Sequence, residues 1–241
     1  MKLIKVKGIV IREVPYKDND KIITILTDTL GKISCLAKGA KKTNSPLLAS
    51  SQFLVYSEFV LYKGTKFYHV NSANMINMFY DLRVDFDKLE IAFSLTKLVS
   101  NVTDEYQDTS KILVLLLNTV YLLQEEKKDK RLVITVFKIK LFCLLGFTPR
   151  VDKCNICGRV LLDNEKHGNI YYDYVSNTFC CEECTIGKDK KRYIEVAEST
   201  VIAIRYVSLT TMKKIFSFNL ENLDNFYLFG QVYTDAMTNG I

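Results

Sequence analysis

The chain has 241 residues, 48% apolar and 25% charged, with only 3 prolines and 10 glycines. That composition supports buried cores and excludes long disordered tracts. The formal charge is +6, unevenly spread: residues 1–80 carry twelve Lys/Arg against five Asp/Glu, whereas residues 151–184 carry three against six. An excess of that sign in the first third attracts polyanions, and the alternative reading is a basic face that is merely solvated.

The opening MKLIKVKGIV lacks the apolar run and cleavage signal of a secretory peptide. Of the longest apolar stretches, Ile112–Leu123 is too short to span a bilayer, and Leu132–Phe147 is interrupted by Lys138 and Lys140. A cytoplasmic protein without a membrane segment is expected.

Residues 1–72 read as β-structure. Leu3–Val14 is rich in Ile and Val, with Gly8 marking a bulge or bend. Lys21–Thr27 and Lys32–Lys38 flank the turn Asp28–Gly31, and a polar loop, Gly39–Ser51, leads to Phe53–Tyr62. Lys63-Gly64 then turns the chain into Lys66–Val70. Five such strands suit a small closed barrel, because closure removes exposed edges. An OB-type barrel fits best, and an SH3-like barrel is its competitor.

Residues 73–149 read as helical. Asp85–Val102 gathers Leu89, Ala92, Phe93, Leu95, Leu98 and Val99 on a broad apolar face. Ser110–Glu125 and Lys130–Leu145, joined by a charged segment, are too apolar for isolated surface helices and are expected to pack on each other. Gly146 and Pro149 stop the last one. Residues 150–190 form a cysteine module, and residues 191–241 hold two further helices, over 194–208 and 220–236, expected to pack on the helical domain. The fold class is therefore α+β and multidomain, with a four-cysteine module inserted in a helical domain.

Seven cysteines in a cytoplasmic chain argue against a disulfide framework. Cys35 and Cys143 sit in apolar segments and read as core. Cys154-Asn-Ile-Cys157 and Cys181-Glu-Glu-Cys184 are two C-x-x-C pairs with 23 residues between them. Each pair places two thiolates on one metal, and two pairs complete a tetrahedral four-sulfur site suited to one structural zinc ion. The gap exceeds the usual ~15–20 residues, and the strand-like Asn169–Val175 fills it as part of a hairpin. Cys180, next to Cys181, competes for the third position, and His167 is a substitute ligand. A reduced cluster or a thioredoxin-like redox pair is the bland alternative. Neither explains two pairs at this distance.

No H-E-x-x-H, G-x-S-x-G, P-loop or deaminase signature occurs. The chain reads as a binder with no catalytic residues. Lys38, Lys41 and Lys42 would present three ammonium groups to a phosphate backbone from a barrel loop. Arg12, Lys17, Lys21 and Lys32 lie on or near the preceding strands. Tyr16, Phe53, Tyr56, Tyr62, Phe67 and Tyr68 are mostly core rings, any of which could instead stack on a base.

Taken in order, I-V-I-R (Ile9–Arg12), D-x-x-x-x-x-x-T (Asp20–Thr27), L-G-K (Leu30–Lys32), A-K-G-A-K-K (Ala37–Lys42), L-L-G-F-T-P (Leu144–Pro149) and D-K-C-N-I-C-G (Asp152–Gly158) before a second C-x-x-C resemble the RecO family of bacterial recombination mediators. The resemblance covers residues 1 to about 205. It departs from the family pattern at Asn177 and Cys180, and residues 221–241 lack a basic tail.

What the resemblance implies is a non-enzymatic DNA-repair protein with an OB domain, a helical domain and a zinc module, located at the nucleoid. It implies binding of single- and double-stranded DNA, annealing of complementary strands and help in loading RecA onto coated single strands. The implied partners are RecR and the C-terminal tail of single-stranded DNA-binding protein. For that acidic, apolar tail a groove on the helical domain is expected, with Lys130, Arg131, Lys138 and Lys140 at its rim. The rival readings are an RNA-binding barrel protein, a protein-interaction scaffold and a zinc hydrolase.

Overall fold

The computed structural model describes residues 2–162 and 168–238. Contacts divide the chain into two compact units, Met1–Glu125 and Glu126–Ile241.

In the first unit, β1 (Leu3–Tyr16), β2 (Asp20–Thr27), β3 (Lys32–Ala37), β4 (Tyr56–Lys63) and β5 (Tyr68–Asn77) close a barrel in the order β1-β2-β3-β5-β4. The OB-type expectation holds. The alternation of Ile and Val fills the interior: Val6, Val10, Ile23, Ile25, Ile33, Phe59 and Leu61 are buried together. Each such side chain contributes about 1.5–3 kcal/mol on burial. The long β1 serves two neighbours, its first half pairing with β4 and its second with β2.

Gly8 is not a bulge. It lies where β1 pairs with both neighbours, and an added Cβ would meet Ile25 Cγ2 at 2.5 Å and Leu26 O at 2.7 Å. The bulge falls later, between Val10 and Arg12. The fourth strand starts at Tyr56, later than its apolar run suggests, because Leu54 holds φ at 63°. Leu54 N–H donates to Val10 O and Val10 N–H to Val55 O (2.8 and 3.1 Å), so Phe53–Val55 lies against β1 at the bulge. The fifth strand runs on through the polar Asn71–Asn77, still paired with β4.

Three helices complete this unit: α1 (Tyr80–Val84), α2 (Phe86–Val102) and α3 (Ser110–Glu125). The Asp85 carboxylate caps α2, accepting from Lys88 N–H at 3.1 Å. Helix α3 is covered by α1, α2 and β2. The stretch 73–149 is shared between the units, and its charged connection, Glu125–Arg131, lies at their border.

In the second unit α4 (Lys130–Leu144) packs on α5 (Glu198–Leu209) and α6 (Leu223–Thr238). Gly230 lets α6 approach α4; a Cβ there would meet Thr135 Cγ2 at 2.7 Å. A three-stranded sheet, ordered β7-β6-β8, comprises β6 (Ile170–Asp173), β7 (Thr178–Cys181) and β8 (Tyr193–Val196). Strand β8 takes the start of the segment that reads as helix from 194, and the helix begins only at Glu198. An aromatic cluster joins sheet to helix. Tyr172 and Phe179 meet Phe229 at 5.1 and 5.7 Å, and Phe229 stacks on Tyr233 at 5.4 Å.

Candidate metal centre and nucleic-acid interface

The candidate metal centre is built by two local turns, one at an isolated bridge and one at the end of a strand. The first is a knuckle: Lys153 pairs with Val160, Cys154 N–H donates to Arg159 O at 2.8 Å and Gly158 N–H to Cys154 O at 3.0 Å. Gly158 closes it at φ +75° with open space around it, a conformation that a side chain would strain. The second follows β7, where Cys181 ends the strand and Glu182–Thr185 forms a single 3₁₀ turn carrying Cys184.

The Sγ atoms of Cys154, Cys157, Cys181 and Cys184 lie within 4.8 Å of one another, with Cys157 and Cys181 at 3.7 Å. A tetrahedron with metal–sulfur bonds of about 2.3 Å has sulfur–sulfur edges of about 3.8 Å, so the residues fit a zinc ion. At Cys154 burial opposes ionisation, but N–H donors from Cys157, Cys181 and Ile156 outweigh it and bring the thiol down to about 6. At Cys184 burial, followed by hydrogen bonds to Cys181, Cys157 and Cys154, pushes the thiol up to about 12. Four crowded sulfurs without a cation cannot all ionise, which a divalent cation would relieve.

The structure resolves the ambiguity at the third position. Cys181 joins the cluster, while strand alternation turns the buried Cys180 to the other face, opposite Tyr171. His167 lies outside the described residues.

The basic loop leaves β3 at Ala37 and is pinned to the β1–β2 turn. Gly39 N–H donates to Asp20 Oδ1 at 2.8 Å and Lys41 N–H to Asn19 O at 3.0 Å. Ala40 and Leu47 are buried in the barrel, which leaves Lys38, Lys41 and Lys42 exposed on a tethered segment. Lys17 and Tyr16 are exposed at the turn itself.

Other candidate residues are occupied. Lys21 pairs with Glu13 at 2.7 Å. Lys32 Nζ donates to Ser100 O at 2.6 Å and to Thr103 O, and burial lowers its pKa. Among the candidate rings, Tyr68 is buried, Tyr62 stacks on His69 at 4.8 Å, and Phe53 meets Phe93 edge-on at 5.9 Å.

The partner-groove residues sit on α4 in differing states. Lys140 Nζ donates to the carbonyls of Val207, Ser208 and Thr210 at 3.0, 3.1 and 2.8 Å, closing the end of α5. Lys138 donates to Gln231 Oε1, and Arg131 pairs with Asp129 and Asp224. Lys130 is exposed and forms no salt bridge among the described residues.

Sequence reading missed a cavity of about 600 Å³ in the first unit, lined by parts of β1, the Phe53 segment and α2. Its residues come from three separate segments, so no local motif announces it.

Comparison with known proteins gives two family matches. The family described as "Recombination protein O N terminal" matches residues 1–79, and "Recombination protein O C terminal" matches residues 83–225. A protein of Acetivibrio thermocellus named "DNA repair protein RecO" is 37% identical over 92% of this chain and 85% of its own length. Proteins of the same name from Caldicellulosiruptor saccharolyticus and Caldicellulosiruptor bescii are 35% and 33% identical, over 93% and 92% of this chain and 88% and 86% of theirs. No helix among the described residues is long and apolar enough to cross a membrane.

Proposed function

The chain belongs to the RecO family of DNA repair proteins, and we propose that it acts there without an active site, binding single- and double-stranded DNA and annealing complementary strands. It helps load RecA onto strands coated by single-stranded DNA-binding protein, at the nucleoid in the cytoplasm, with RecR and the tail of that coating protein as partners. The four segments divide the work: 1–72 contacts DNA, 73–149 and 191–241 receive partners, and 150–190 is a scaffold around one structural zinc. For the acidic tail, Lys130 is the α4 cation whose side chain makes neither a hydrogen bond nor a salt bridge among the described residues, whereas Arg131, Lys138 and Lys140 are engaged.

The observation that carries this reading is the closed barrel with Lys38, Lys41 and Lys42 exposed on a loop tied to the β1–β2 turn. Fixed ammonium groups neutralise phosphates and so reduce the repulsion between two strands. Base pairing then supplies the free energy of annealing, and no fuel is needed. Arg12 and Lys17 extend the basic surface, whereas Lys21 and Lys32 add charge to it from bound positions. Cys154, Cys157, Cys181 and Cys184 hold the zinc with all four positions taken, which makes the metal a fold element.

The test is binding to a labelled single-stranded oligonucleotide across a salt titration, for the wild type and for a Lys38→Ala, Lys41→Ala, Lys42→Ala triple variant. Log K falls with log salt by about 0.7 per phosphate neutralised, so the triple variant should bind more weakly with a slope shallower by about two units. Equal slopes and affinities would remove the loop from the interface. Tighter binding to RNA of the same sequence would turn the reading toward RNA.

A further inference from the structure

The geometry points to a pocket for a single unstacked DNA base in the first unit, apart from the lysine loop, between β1 and helix α2. This deepens the DNA-binding reading above and rests on it. The cavity of about 600 Å³ falls within the ~300–1,000 Å³ typical of small-ligand sites.

Three features build it. In a regular strand neighbouring side chains point to opposite faces, yet Ile11, Arg12 and Glu13 all line this cavity. The bulge between Val10 and Arg12 is the cause, because an extra residue re-aims the side chains beside it. Next, Phe53 is held from both sides. The buried Leu54 is kept at φ 63°, a strained conformation for a branched residue, and Arg83 donates to Phe53 O at 2.8 Å and to Gln52 Oε1 at 2.7 Å. Finally, α2 sets Phe93, Lys97 and Asn101 four residues apart on one face toward the cavity. Phe93 belongs by periodicity to the apolar face, yet it is 57% exposed, with its ring against Phe53 at an interplanar angle of 63°.

The charge at the rim is positive. Arg12 and Lys97 form no ion pair among the described residues, while Glu13 is already paired with Lys21 at 2.7 Å. A nucleotide matches each part of this lining. Its base offers a π-face to Phe53 and Phe93, its polar edge meets the Asn101 amide, and its phosphate lies against Arg12 and Lys97. Its β1 side and Phe53 belong to the part of the chain with the strongest positive excess, twelve basic residues against five acidic over residues 1–80. A base drawn out of the strand here would hold its neighbours unstacked and ready to pair.

The experiment uses the full chain and two labelled oligonucleotides of equal length, one of thymidines and one abasic. The proteins are wild type, Phe93→Ala, Lys97→Ala and the triple lysine-loop variant. Phe93 is exposed, so its removal leaves the helix packed, and the melting temperature checks this. Phe93→Ala should lose about fivefold to a hundredfold on the thymidine strand and nothing on the abasic one. Lys97→Ala should weaken binding to both. The fluorescence of a 2-aminopurine in the strand should change on binding the wild type and not Phe93→Ala.

If Phe93→Ala matches the wild type on both strands while the triple variant is impaired, the pocket falls and the loop reading stands. If the wild type binds neither strand, the DNA reading falls and takes the pocket with it. If Phe93→Ala binds DNA normally but loses a labelled acidic, apolar peptide that the wild type binds, the cavity serves a protein and the proposal is overturned.

Discussion

The two units solve the same problem differently. Each must hold β-strands that would be marginal as isolated hairpins. The first closes five strands on themselves around an apolar core, so that its edges vanish. The second has, among the described residues, three strands of four residues each, and fastens them by aromatic contacts to α6 and by four converging thiols. Strand length is thus exchanged for cross-links: where too little apolar surface exists to close a barrel, four thiols placed to take a metal ion offer the missing constraint.

The largest effect that would sharpen this contrast is metal removal. One zinc per chain is expected by atomic absorption, and Cys154→Ser with Cys157→Ser should abolish it. Structural zinc in small domains carries about 10–16 kcal/mol of apparent binding free energy, so limited proteolysis should open residues 150–196 while the barrel stays protected. A variant that lacks metal and is still resistant throughout would break the contrast.

The converse change is Phe59→Ala in the fully buried barrel core. A cost of about 3–5 kcal/mol is expected, measured by denaturant unfolding of the barrel, with zinc content unchanged. Zinc lost along with the barrel would show that the units are not independently held.

The smallest effect concerns the turn of the β6–β7 hairpin. Burial tends to raise the Asp173 carboxyl, but hydrogen bonds from Arg192, Ser176 and Val175 outweigh it and hold the group below its ordinary 3.8. A carboxyl depressed on folding contributes stability that is fully present above its ordinary value and is lost as pH falls through its folded value. Asp173→Asn should therefore lower stability by about 1 kcal/mol or less at pH 7 and flatten the acid limb of the unfolding profile. An unchanged acid limb would remove this carboxylate from the account.

Features set by near neighbours in the chain were legible in the sequence. Each C-x-x-C pair keeps two thiols within one turn, so the four clustered cysteines could be named, and five apolar runs in order pointed to the barrel. What failed depended on distant partners. Phe53–Val55 has strand composition, but the strain at Leu54 turns it aside to meet β1. Tyr193–Val196 blends into a helical pattern, and only pairing with β6 makes it a strand. Lys32 reads as a DNA contact and Lys140 as a cation at a groove rim, yet both meet carbonyls at helix ends far along the sequence. The cavity was invisible for the same reason, and Phe93 was read as core because periodicity shows a face without showing whether anything covers it.

The barrel closes through one parallel seam, where Cys35 faces Tyr68 and Leu36 faces His69. Every other pairing in it is antiparallel and spans several residues. Two rungs are a short ladder, so this seam is expected to open more readily than the longer antiparallel ladders beside it. The lysine loop lies in the stretch of chain between the seam's two strands, with Ala40 and Leu47 buried in the barrel. Gly39 and Lys41 also tie it to the β1–β2 turn, so native-state hydrogen exchange at those two amides, set against the seam, is expected to report the lifetime of the basic surface.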